Sequence, residues 1–576
     1  MNRLLGLITI AVAVNACAPA VPGAAERGTS STTAATSNAS PQRTLDVAIR
    51  FEPTTLASKA LQQTGVTLDF TLRLFNAGLV LIDNNGQGVP YLAESLPALN
   101  TDSWKVFDDG TMQTTYQLRP NLTWHDGEPL TANDFVFAWQ VYTNPAFGIG
   151  MTAPQGLIDE VLATDAQTVT IHWKQPFPFA DILGFTTTRS NLAPLPRHLL
   201  ESQLAQLSTE AFLGLPFWTT DYIGAGPYKV SNWHPGAFLD ASAFDGHARG
   251  RPKIDRMELR FINDANAALS NMLSGAVQLL ADEAIPFQQA ALLQQQWNST
   301  AAGSIVTRPG LWRYVQFQFA PEYNRVPELL DLRVRQALAY TLDRDALNQG
   351  VFSGQGIITD SMIPPTSDYF PLVDSVVTKY PYDPARSEQL MRDAGLTKAA
   401  DGFYTSLAGG HLSFPLEAIQ NAQNQTEQSI LAARWRDVGF DIEETVLPAA
   451  QAQDGETRAT YPAMFTAATP AGDSMIAVQG RASIPSAANH WNGFNRGHWT
   501  NPDYDRLAAA YNTTLDRNQR IQQIAQMIAI YSAELPGISM DFNPGITAFV
   551  AALKGPVPVG PDASAAWNVQ DWELRD

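Results

Sequence analysis

Apolar and polar residues alternate along Leu45-Asp46-Val47-Ala48-Ile49-Arg50-Phe51, and a period of two predicts a strand. Pro53-Thr54-Thr55-Leu56 turns the chain away from it. Leu68, Leu72, Phe75 and Leu79 recur at helical spacing, which predicts a helix over 68–81, ended by the turn Asp83-Asn84-Asn85-Gly86. Asp109-Gly110 reads as a hairpin turn, and the strand Tyr116–Leu118 stops at Pro120. His125-Asp126-Gly127 turns again. Thr131 caps the next helix, with Asp134 at its third position favouring the positive helix end. Trp312-Arg313-Tyr314-Val315-Gln316-Phe317 alternates as a strand does. Val334, Leu338 and Thr341 share one helical face, and Asp343 caps the helix that follows.

The N-terminal pattern is of another kind. Arg3 precedes an apolar run from Leu4 to Val14, and small residues close it before Cys17. This is the build of a secretory signal peptide, too short to span a bilayer. The ending Val14-Asn15-Ala16-Cys17 resembles a bacterial lipobox, in which the cysteine is lipidated and becomes the new N-terminus; Asn15 departs from the small or apolar residue usual there. Cys17 is the only cysteine, so it has no intramolecular disulfide partner. From Ala18 to about Arg43 the chain is Ala, Ser, Thr, Pro and Gly, which cannot bury enough surface to offset chain entropy, so a disordered tether is expected over 17–44.

Composition narrows the function classes. The chain has 576 residues, a formal net charge of −19, and 45 % hydrophobic residues. Its length allows two or more lobes with separate cores. An acidic surface argues against nucleic acid and against adsorption on anionic lipid. No apolar run after the signal is long enough for a transmembrane helix. Thirteen Trp, 16 Tyr and 27 Phe supply ample aromatic surface for cores or a binding cleft.

Catalytic and nucleotide motifs are missing from the sequence: no Gly-x-Ser-x-Gly, no His-Glu-x-x-His, and no phosphate loop ending in Gly-Lys-Ser/Thr. Gly224-Ala225-Gly226 and Gly354-Gln355-Gly356 are bare Gly-x-Gly pairs, expected as tight turns. His490 and His498 do not have metal-ligand spacing. No catalytic residue, metal or cofactor is therefore expected.

Several stretches, in order, carry a resemblance. They are Ala93-Glu94-Ser95, Asp108-Asp109-Gly110, Tyr116-Gln117-Leu118-Arg119, and Trp124-His125-Asp126-Gly127-Glu128-Pro129-Leu130-Thr131-Ala132-Asn133-Asp134. Gly224-Ala225-Gly226-Pro227-Tyr228-Lys229-Val230, the segment from Asp264 to Leu280, Val334-Arg335-Gln336-Ala337-Leu338 and Trp499-Thr500-Asn501-Pro502-Asp503-Tyr504 continue it. Together they resemble the family 5 extracytoplasmic solute-binding proteins of ABC importers, of the oligopeptide- and dipeptide-binding lipoprotein type, over about residues 45 to 572.

The resemblance implies a two-lobed, periplasmic-binding-protein-like α/β fold (type II) with an extra subdomain inserted in the first lobe. Lobe I maps to 45–82, 223–309 and 536–576, the inserted subdomain to 83–222, and lobe II to 310–535, with two strands crossing between lobes. It implies capture of a solute, most commonly a short peptide, and delivery to an ABC permease. The protein is then a monomer, not an enzyme, held outside the cytoplasm by lipid on Cys17. An oligosaccharide, nickel chelate, haem or opine is the alternative solute, and an extracellular hydrolase the alternative of another class. In peptide-binding relatives a second-lobe aspartate holds the ligand ammonium, and Asp473 occupies the corresponding stretch; the tryptophan usual before that acid is absent. Trp312, Tyr314 and Phe317 are further candidates for the cleft, as are Trp491, Asn492 and Trp499 in a Gly/Asn-rich loop where rings would stack on a ligand. Arg119, Trp124, His125, Asp126 and Gly127 carry the family signature and are expected to be turn and packing residues.

Overall fold

Two long antiparallel strands, Gly303–Phe317 and Gly537–Val550, run side by side through the protein in this computed structural model. The described residues are 43–575, without 60, 62–67, 148–152, 185–190, 449–450, 452–453, 490 and 561–562. The chain separates at Gln42/Arg43 into two units. The expected signal, Cys17 and most of the tether lie in the first unit, outside the described residues, as does His490 of the second.

Among the described residues the two strands belong to a sheet of 11. Toward Gly303 their neighbour is Leu279–Leu280, with Leu279 opposite Phe549. Thr44–Ile49, Arg256–Phe261, Phe238–Ala243 and Tyr228–His234 follow outward on that side. Toward Phe317 the neighbour is Met464–Pro470, followed by Ser413–Ile419 and Asp441–Leu447. The register of the long pair slips between Pro309 and Trp312 and again between Arg313 and Tyr314. Such irregularities bend and twist a strand, and they fall where the pair passes from one half of the sheet to the other. Val315, Leu338, Trp435, Phe440 and Met540 form a core on the Phe317 side, whereas a larger one, built on Val47, Leu74, Tyr228 and Leu259, continues across to Tyr461, Phe465 and Tyr504. The two sides make a two-lobed α/β fold.

A separate four-stranded sheet is built from Trp104–Val106, Met112–Gln117, Thr168–Trp173 and Ile158–Ala163. Its first hairpin turns at Asp109-Gly110, where Gly110 takes φ 85°. The helix Ala132–Tyr142 packs on it and starts as expected, with the Thr131 N–H donating to Asp134 Oδ2 at 2.8 Å.

The helix expected over 68–81 is shorter, Asp69–Phe75. Asn76 leaves helical space, and its Nδ2 donates to the Leu72 and Leu56 carbonyls, both at 2.8 Å. Leu79 therefore leads into a strand, Val80–Ile82, which turns through Asp83–Gly86 onto Gly88–Pro90. Spacing misleads here because Leu79 is buried against the same core by either route. The opening strand, Thr44–Ile49, has parallel partners on both edges, and Val47, Ala48 and Ile49 are all buried.

The signature residues hold the protein to itself. Trp124 is buried, Arg119 Nε donates to the Tyr91 carbonyl at 2.7 Å, and Gly127 turns at φ 96°. Asp126 Oδ2 lies 2.8 Å from His198 Nε2. The Gly224 N–H donates to His125 Nδ1 at 3.1 Å, so His125 carries its proton on Nε2, 3.1 Å from the Gly226 carbonyl. Burial pulls the His125 pKa down to about 4. The Gly224-Ala225-Gly226 turn passes so close to the helix end that a Cβ on Gly226 would lie 2.4 Å from the Phe75 carbonyl carbon.

Candidate functional site

A cavity of about 840 Å³ lies beside the crossing strands. One wall is the Ile82–Gly88 hairpin, the 178–182 turn and residues 557–560, with Thr307 of the first crossing strand. The facing wall is Thr366–Tyr369, Gly472-Asp473 and the first turns of the helix Arg517–Glu534. Segments far apart in sequence, from both halves of the sheet, therefore share one space. The volume falls in the range of small-molecule sites.

Asp473 reaches the cavity because of how its strand ends. Met464–Pro470 leaves the sheet, and the Ala471 N–H donates to the Gly310 carbonyl at 3.1 Å. Gly472 then takes φ 118°, a conformation that favours glycine, and its N–H donates to the Met362 carbonyl at 3.0 Å. Asp473 opens the short helix Asp473–Ile476. Tyr511, the last residue of the helix Pro502–Tyr511, donates its hydroxyl hydrogen to Asp473 Oδ2 at 2.6 Å.

The ring of Phe179, from the opposite wall, stands 6.0 Å from that of Tyr511. The Arg520 guanidinium lies 5.3 Å above Phe179 and gives Nη1 hydrogen bonds to the Thr514 and Leu515 carbonyls at 2.9 and 2.8 Å. Burial lowers the Arg520 pKa, opposed by Tyr511, Asp181 and Asp473. Burial raises that of Asp181, opposed by Arg520. At the rim, Arg517 Nη2 donates to both oxygens of Asp368, at 2.9 and 2.7 Å.

Of the ligand residues expected from sequence, Asp473 alone lines this cavity. Trp312 and Tyr314 are fully buried and stack on each other, with centroids 3.8 Å apart and planes 7° from parallel. Phe317 is fully buried in the core of the other half. Trp499 is buried, donates Nε1 to Glu534 Oε2 at 3.0 Å, and packs edge-on against Tyr504 and Tyr531. Trp491 is half-buried and Asn492 exposed, both away from the cavity wall. None of these six lines this cavity, and four of them are packing groups: Trp312, Tyr314 and Phe317 are buried on a strand paired on both edges, and Trp499 is buried in the loop before the helix Pro502–Tyr511. Phe179, Asp181, Tyr511 and Arg520 escaped the sequence reading, since no motif links stretches so far apart.

Among the described residues no group of three His, Cys, Asp or Glu is placed to hold a metal ion. Among them, too, no helix is long and apolar enough to cross a membrane.

Residues 90–481 match the model of the bacterial extracellular solute-binding proteins, family 5 Middle. A Brucella ovis protein named for peptide binding by an ABC transporter is 27% identical over 305 residues, 52% of this chain and 52% of that one, so the chain spans about half the length of such curated relatives. The dipeptide-binding protein of Escherichia coli is 24% identical over 469 residues, covering 77% of this chain and 80% of its own. In fold, the oligopeptide binding protein of Thermus thermophilus, solved with a pentapeptide, superposes with a TM-score of 0.71 at 20% identity, over 92% of this chain and 96% of that one.

Proposed function

This chain belongs to the bacterial extracellular solute-binding proteins of family 5, and from that premise we propose that it captures a short peptide in the cavity between its lobes and delivers it unchanged to an ABC-type permease. The observation that carries this reading is Asp473, a carboxylate on the wall of a cavity of about 840 Å³, oriented by the Tyr511 hydroxyl. An ammonium taken out of water needs such a partner. The main chain of an extended ligand pairs with backbone groups and so adds affinity without side-chain selectivity. Lobe I comprises 45–82, 223–309 and 536–576, with 83–222 inserted, and lobe II comprises 310–535; the slip in register of the crossing strands is where they hinge. Lipid on Cys17 holds the protein, as a monomer, on the outer face of the cytoplasmic membrane. It performs no chemistry on its guest.

Native mass spectrometry of the protein purified from rich medium tests the reading. Bound peptides that leave unaltered on denaturation are expected. Repeated recovery of another ligand class, or cleavage of added peptides, rejects it. Intact-mass analysis of the membrane fraction tests the anchor, which fails if Cys17 is found unmodified.

A further inference from the structure

The cavity holds a second carboxylate whose placement is as specific as that of Asp473. Asp181 sits on the turn that follows Phe177, and this turn is tied down. Tyr116 donates its hydroxyl hydrogen to the Ala180 carbonyl, the Ile182 N–H donates to the Phe179 carbonyl at 3.2 Å, and the Val80 N–H donates to the Leu183 carbonyl at 3.0 Å. Tyr116 is itself fully buried. The turn therefore presents Phe179 and Asp181 from a fixed base to the opposite wall.

Charge around Asp181 is incompletely matched. Asp368 has its cation, since Arg517 donates to both of its oxygens. Asp181 is half-buried on the cavity wall, and among the described residues no other residue's donor reaches its carboxylate and no cation lies within salt-bridge distance. Its nearest positive influence is Arg520, whose Nη1 is committed to the Thr514 and Leu515 carbonyls and whose plane rests over Phe179. A carboxylate held in a partly dry wall without a donor is costly to leave alone and strengthens any cation brought to it.

The geometry points to Asp181 as a specificity-determining residue that receives a cationic side chain of the guest, so that the site prefers peptides carrying lysine or arginine near their amino end. This rests on the reading of the cavity as a peptide site and deepens it: Asp473 takes the ammonium common to all peptides, whereas Asp181, from the other wall, reads a charge that only some possess.

Calorimetric titration of the full-length chain with trialanine and with its lysine variants at the first and second positions tests this. At least one lysine peptide is expected to bind about tenfold more tightly than trialanine. In Asp181→Asn the three peptides are expected to bind within about twofold of one another. Asp181→Glu restores the preference, which a merely structural role would not do. Equal binding of all three by the wild type, or a lysine preference that survives in Asp181→Asn, overturns the inference alone. A wild-type chain that binds none of them overturns the peptide reading and this inference with it.

Discussion

Replacing Asp541 by asparagine is expected to stabilise the protein at alkaline pH and to do little at acid pH. Asp541 lies on the second crossing strand opposite Arg313, fully buried, and neither carboxyl oxygen has a hydrogen-bond partner among the described residues. Arg313 spends its Nη2 on Glu427 and on Asn424 Oδ1 instead. Burial and the negative charge of Glu427 push the Asp541 pKa from 3.8 up to about 7, against the pull of Arg313. Between those values the folded chain holds a proton on this group that the unfolded chain has released, so the contribution of Asp541 to stability falls as pH rises from about 4 to about 7. At 1.36 kcal/mol per pH unit, a rise of about three units amounts to about 4 kcal/mol, reached above pH 7 and nearly absent at pH 4. Urea denaturation followed by tryptophan fluorescence at pH 4, 6 and 8 reads this directly. The asparagine amide carries its own burial cost, but that cost is the same at each pH. The diagnostic is therefore the gain of Asp541→Asn relative to wild type, which should grow by about 3 to 4 kcal/mol between pH 4 and pH 8. A difference that does not change with pH refutes the argument.

Other outcomes follow from the same structure. Tyr511→Phe removes the hydroxyl that orients Asp473 and is expected to weaken ligand binding by about five- to tenfold, read by calorimetry, with the melting temperature little changed. Trp312→Ala is expected to cost about 3–5 kcal/mol in denaturant unfolding, as loss of a stacked core ring. Burial lowers His125 to about 4 and His247 to about 3, so the unfolded chain binds protons first as pH falls below 6.5. The contribution of these two histidines to stability should therefore be lost from about pH 6.5 downward, opposite in sign to that of Asp541, and His125→Gln should remove its share of that pH dependence relative to wild type in pH-dependent melting. Gly226→Ala, which sets a Cβ 2.4 Å from the Phe75 carbonyl carbon, should cost about 1–3 kcal/mol or more, visible as a lower melting temperature.

What could be read from the chain was what local chemistry decides. The Thr131 cap, the Asp109-Gly110 hairpin and the Asp343 cap depend on neighbours within a few residues, and each stands where the sequence puts it. Leu79 was misplaced because burial by a strand and burial by a helix leave the same apolar spacing. Trp312 and Tyr314 were placed in the cleft because alternation reveals a strand but not what covers its faces. Asp473 was reached only through resemblance. Asp181, Phe179 and Tyr511 owe their proximity to the packing of distant segments, for which a single sequence has no signal. Buried charge was equally hidden: nothing in Asp541 or Glu427 as letters shows that both lie beside one arginine.

The strand Gly537–Val550 also constrains how the molecule comes into being. It is made after both of its partners, Leu279–Leu280 on one side and Gly303–Phe317 on the other. Until it emerges from the ribosome, both halves of the sheet keep an open edge, a template for pairing with other chains. Neither half is complete as an early, N-terminal folding unit of the kind that usually spares long chains from aggregation. Completion must wait for contacts between strands far apart in the chain, and loop closure over such separations makes acquisition of the native state slow.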